Sequence, residues 1–203
     1  DRSMHYTLPV PFYNYFKPTN IVSVPRYYVL PQGWEKVIAR LKTNGVQMTE
    51  MKKDTVIHVV TYKIQDYKTV PKPYEGHYLH TGVTYETITA PVPFRKGDFL
   101  ISTHQIAKRY LIETLEPNAP DAFFAWNFFD AVLQQKEYFS DYVFEDEAAQ
   151  LLKQNPALRS ALNSACKADT TIAQSAQKQL AFIYQHSPYQ EPEYLRYPVF
   201  RIE

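Results

Sequence analysis

The run RYYVLPQGWEKVIARLKTNGVQMTEM, residues 26–51, changes its hydrophobic period twice. RYYVL is a block of strand-forming residues halted by Pro31, which suits the first turn of a helix. Trp34, Val37, Ile38 and Leu41 then recur at i, i+3, i+4 and i+7, Lys42 stands near the end, and Asn44-Gly45 supplies a left-handed stop. VQMTEM alternates again. The order is strand, helix, strand, and a right-handed crossover predicts that the two strands are parallel. The expectation is an α/β fold with a mixed, partly parallel sheet flanked by helices.

Further along, TVIHVVTYKI (55–64) reads as a strand with Val56, His58, Val60, Tyr62 and Ile64 on one face, so His58 belongs to a mainly apolar set. Residues 80–94 form a second extended stretch, which Pro91 and Pro93 confine to a sheet edge. Gly97-Asp98 marks a turn and FLIS a buried strand, after which Ser102 or Thr103 caps a helix through Ile106, Tyr110, Leu111 and Leu115. Asp121 is the expected cap of a helix over AFFAWNFFDAVLQQ, which is apolar nearly all round and must be enclosed. Asn155-Pro156 and Asp169 cap two further helices, ALRSALNSA and TTIAQSAQKQLAFIY, and YPVFRI closes as a final strand. Residues 1–26 carry prolines and no helical period, and read as an extended arm or a linker from an upstream domain. Residues 27–203 read as one domain with a helical C-terminal part, about 121–186.

The composition narrows the function classes. The 22 Lys and Arg nearly balance the 21 Asp and Glu, so no summed field draws in nucleic acid or an anionic membrane. No apolar run reaches the roughly 18 residues a membrane-spanning helix needs. Cys166 is the single cysteine and lies among Ala and Leu at helical spacing, which reads as packing. Five scattered Gly build no phosphate cradle. The chain begins at Asp1 without an initiator Met, as expected of a mature product, a domain or a fragment.

One stretch has the residue types of a metal site. PYEGHYLH, 73–80, places Glu75, His77 and His80 within six positions. Extended backbone would project Glu75 and His77 together and His80 the other way, so the three converge only if the chain turns at Gly76. Two readings stand: a metal-dependent hydrolase on these ligands, or a polar loop whose imidazoles bond to backbone or to a partner.

Longer motifs carry a resemblance. RYYVLPQGWEKVIARLKTNGV, PYEGHYLH, KGDFLISTHQIAKRYLIETLEPNAPDAFFAWNFFDAVLQQKEYFSDYVFED and LRYPVFRI span nearly the whole chain, with Trp126-Asn127-Phe128-Phe129-Asp130 through Gln134-Gln135-Lys136-Glu137 the most idiosyncratic part. In them the chain resembles the region that follows the peptidase domain in secreted bacterial zinc carboxypeptidases of the carboxypeptidase A-like superfamily. The resemblance implies a glutamine-amidotransferase-like α/β domain and a zinc-bearing peptidase domain upstream as partner. It implies no cofactor in this chain, and a secreted or periplasmic location. One departure is visible: Gln105-Ile106 stands where the pattern has Gln-Pro. On this footing Tyr74, Glu75, His77, His80, Trp126 and Asn127 are interface or binding candidates, and none is catalytic. The alternative is a peptide- or glycan-recognition module using Tyr-rich edges such as Tyr27, Tyr28, Tyr74 and Tyr78.

Overall fold

The computed structural model describes residues 3–18, 20–136 and 138–203. Six strands form one sheet: β1 (Tyr27–Leu30), β2 (Thr49–Glu50), β3 (Thr55–Thr69), β4 (His80–Phe94), β5 (Phe99–Ser102) and β6 (Phe200–Ile202), in the order β2-β5-β1-β6-β3-β4. Helix α1 (Glu35–Thr43) follows β1 and buries Val37, Ile38 and Leu41, as the spacing predicts, and ends before Gly45 at φ 74°. Helix α2 (Lys108–Leu115) follows β5.

Each ladder is antiparallel, so the partly parallel, glutamine-amidotransferase-like sheet expected above is corrected. β1 and β2 do run in the same direction, but β5 lies between them and pairs antiparallel with both. The reason lies in burial. Tyr28, Val29 and Leu30 are fully buried and require apolar neighbours on both sides. FLIS supplies such a neighbour, whereas Thr49 and Glu50 are exposed and suit only an edge.

The β3–β4 ribbon serves two cores from opposite faces. Near the hairpin end, Tyr62, Ile64 and Val83 join Tyr28, Leu30, Leu41, Leu111 and Phe124 in the main core. At the other end Val59, Val92 and Phe94 instead join Val29 and Phe200 on the opposite side of the sheet. In a flat sheet Phe94 would lie about 20 Å along β4 from the position beside Phe200. Their rings meet edge-on at 5.1 Å, so the ribbon coils beneath β1 and β6. Coiling also lets residues 95–98 lead from edge strand β4 to β5. There Asp98 accepts from the Gln32 and Arg95 amides, and Asp54 from the Lys96 amide and Arg95 Nη1. The Lys96 amide, with Arg95, holds the Asp54 carboxyl below the usual range. One consequence corrects the sequence reading: on the lower half of β3 the buried set is the odd-numbered one, and His58 and Val56 face solvent.

The expected helix over AFFAWNFFDAVLQQ does not form. Residues 123–129 are turns and only Asp130–Leu133 closes a 3-10 helix, although Ala122, Phe123, Phe124, Ala125 and Phe129 are buried. Asn127 sits at φ 65°, a left-handed residue that ends any helix. Apolar character on every side predicted the burial and could not specify the backbone. The expected cap of α2 also fails. Thr103 Oγ1 donates instead to the Pro25 carbonyl at 2.7 Å, Ser102 Oγ accepts from the His104 amide, and Ala107 occupies the cap position.

The C-terminal helices are α3 (Asp141–Gln154), α4 (Pro156–Ala168), α5 (Thr170–Ala173) and α6 (Ala176–Gln185), with their own core of Phe144, Ala148, Leu158, Leu162, Ile183 and Tyr184. Asn155 and Asp169 cap α4 and α5 by accepting from the Leu158 and Thr171 amides. Ser175 caps α6, breaking the expected 170–184 helix in two. Cys166 packs against this core. Among the described residues no helix is long and apolar enough to cross a membrane.

Candidate functional site

The hairpin joining β3 to β4 closes with a two-residue turn. Tyr74 and His77 exchange both backbone bonds at 2.9 Å while Glu75 (φ 48°) and Gly76 (φ 80°) take the left-handed conformations of a type I′ turn. This turn separates the three proposed ligands. Glu75 is exposed at the tip. The His77 ring lies against Trp126 at 5.5 Å and Phe128 at 6.3 Å. His80 is buried, with Nδ1 at 3.0 Å from Thr69 Oγ1 and Nε2 at 3.0 Å from Asp130 Oδ1. Both nitrogens of His80 are thus engaged within the fold. Among the described residues no group of three or more His, Cys, Asp or Glu is placed to hold a metal ion.

The hairpin does bring the other candidates together. Tyr74 packs on Trp126 at 6.2 Å, and the Asn127 amide nitrogen donates to the Tyr78 carbonyl at 2.8 Å. The Asn127 amide also lies 3.2 Å from His80 Nε2. The left-handed Asn127 thus turns 126–130 under the hairpin, where Arg40 stacks over Phe128 at 4.9 Å. The result is an aromatic shelf of half-buried His77, Trp126 and Phe128 with exposed Tyr74.

A second polar centre, which the sequence reading missed, lies inside the main core. Glu116 and Arg201 are 1% and 3% exposed. Arg201 is the cross-strand partner of Tyr28, so both project from the same face. Glu116 Oε1 accepts from the Tyr28 hydroxyl at 2.5 Å and from Arg201 Nη1 at 3.2 Å, and Oε2 accepts from the Tyr62 hydroxyl at 3.1 Å. Arg201 also donates to the Tyr62 oxygen, and its Nη2 donates to the Ser23 carbonyl and hydroxyl at 2.7 and 2.9 Å. Burial, followed by the charge of Glu116, raises the Tyr28 and Tyr62 hydroxyls well above the ordinary phenol value. Burial opposes the charge on Arg201, but Glu116 and Tyr62 outweigh it and hold the guanidinium firmly protonated. The signal for this centre was present as a lone charge within the apolar strand VFRI and a second closing the apolar face of α2.

This centre anchors the arm. Ser23 bonds to Arg201 and Pro25 to Thr103, while Met4, Tyr6, Leu8, Val10, Phe12, Tyr13, Tyr15, Phe16 and Ile21 all stand exposed. Between residues 16–18 and 20–22 of the arm and α2 lies an open cleft of 590 Å³ that Arg109, Glu113 and Glu116 also line. Chemically, the arrangement is suited to fixing geometry and presenting surface: its buried carboxylate accepts from Tyr28, Tyr62 and Arg201 at once. Neither a family model, nor a curated protein, nor a solved structure matches the chain.

Proposed function

We propose that this chain is a non-catalytic domain that packs on and supports the peptidase domain of a secreted or periplasmic zinc carboxypeptidase. The observation that carries the packing role is the arm: a row of large apolar side chains exposed to solvent, bolted at residues 23–26 to a domain with well-filled cores of its own. Contiguous exposed apolar surface of this kind is covered in a working protein by a neighbour. The identity of the neighbour rests on the sequence motifs that resemble the post-peptidase region of these enzymes. In this reading the zinc and its general base belong to the neighbour, and the aromatic shelf and arm are contact surfaces.

The test is a C-terminal residue-release assay with added zinc, run on residues 1–203 alone and on the polypeptide made from the intact gene. The reading expects release by the second only. Release by residues 1–203 alone, or by neither, contradicts it. A second reading, recognition of a peptide or glycan, draws on the shelf of Tyr74, His77, Trp126 and Phe128. Quenching of Trp126 fluorescence by an added oligosaccharide or peptide, weakened in Tyr74→Ala, which keeps the Trp126 reporter, would favour it over the first.

A further inference from the structure

We propose that residues 4–12 add as an edge strand to the open sheet edge of a neighbouring domain, pairing through the backbone of the even-numbered residues. The inference rests on the packing role above and gives it a geometry. Met4, Tyr6, Leu8, Val10 and Phe12 alternate with His5, Thr7, Pro9 and Pro11, so in extended backbone one face is wholly apolar. Those five side chains are 67–86% exposed. Among the described residues, the backbone groups of 4–12 bond to nothing in the chain.

The prolines sort the two edges. In a strand the N–H and C=O of one residue point to the same side, and those of the next residue to the other. The even-numbered edge therefore keeps all its donors, while the odd-numbered edge loses them at Pro9 and Pro11. One pairing edge and one proline-blocked edge is the pattern of a strand that ends a sheet. Addition to a sheet edge then takes its affinity from backbone bonds and its register from alternate side chains entering apolar pockets.

The acceptor is a different domain rather than a second copy of this chain. Of the two edges of this sheet, β2 has two residues, and the outer edge of β4 is broken by register shifts around Gly82 (φ 60°) and by Pro91 and Pro93, which leaves a regular stretch over 85–90, shorter than the arm segment 4–12. The bolt at Ser23 and Pro25 holds the arm's root while leaving 4–12 free to reach a separate surface.

Residue-resolved hydrogen exchange tests this on the polypeptide made from the intact gene, with residues 1–203 as reference and bound zinc measured on the same sample. The even-numbered amides of 6–12 should exchange on the order of 100-fold more slowly in the intact product than in the reference, and those of His5 and Thr7 should not. Leu8→Pro, which deletes a donor on the pairing edge, should restore fast exchange. Thr7→Pro, which extends the blocked edge, should leave the protection in place. Unchanged exchange in β3 and β4 verifies that each variant is folded. Fast exchange of 6–12 in the intact product, or equal loss of protection in the two proline variants, overturns strand addition. A protected arm in a product without zinc keeps strand addition and removes the carboxypeptidase reading.

Discussion

Glu116 and Arg201 are paired ions buried at the middle of the sheet, and neither stands alone. Removing one partner leaves the other charged in a low-dielectric interior, a loss of about 3–5 kcal/mol. Arg201→Met should therefore lower the stability measured by urea unfolding by about that amount, and should free the arm's root because Ser23 loses both bonds. Glu116→Gln combined with Arg201→Met should be less damaging than the sum of the singles, since no unpaired charge remains. The surrounding tyrosines set a pH limit. An unfolded chain releases phenol protons near pH ~10, whereas burial and Glu116 keep those of Tyr28 and Tyr62 bound in the folded state. Above pH ~10 the folded state thus binds more protons than the unfolded one, and stability falls as pH rises; below it both are protonated and stability is intact. Urea midpoints should hold up to pH ~9 and drop beyond pH ~10, and tyrosinate absorbance from these two residues should appear only with unfolding. At this scale the sequence was partly legible. Tyr74, His77, His80, Trp126 and Asn127 do meet, but a type I′ turn at Glu75-Gly76 separates the would-be ligands. The Glu116–Arg201 pair escaped because its members lie far apart in sequence, and only the fold places them at 3.2 Å.

Among elements, α1 and the strands β1, β3, β4 and β5 were readable because their hydrophobic periods are regular and turn residues bound them. What local pattern could not hold was pairing. β1 and β2 obey the crossover rule in direction, yet β5 enters between them, a choice made by the burial demanded on either side of β1. The same limit misplaced His58: alternation identifies two faces of β3, and the coil of the ribbon determines which one is buried at each end. That coil is testable. Phe94 is 2% exposed against Phe200, whereas Val56, one ladder position from Phe94's partner Thr55, is 65% exposed. Phe94→Ala should cost about 3–5 kcal/mol in urea unfolding and Val56→Ala under about 0.5. A flat ribbon would make the two alike.

Over the whole molecule, the α/β part and the C-terminal helices fill separate cores, and the arm leaves large apolar side chains unburied in sequence order. The account holds that a neighbouring domain covers them. Limited chymotrypsin digestion reads this directly, since Tyr6, Phe12, Tyr13, Tyr15 and Phe16 are all cleavage sites in an exposed chain. In residues 1–203 alone the arm should be cut within the first minutes while β1 through β6 survive. In the polypeptide made from the intact gene the same bonds should persist at least ~10-fold longer; cutting at equal rates in the two would contradict the account.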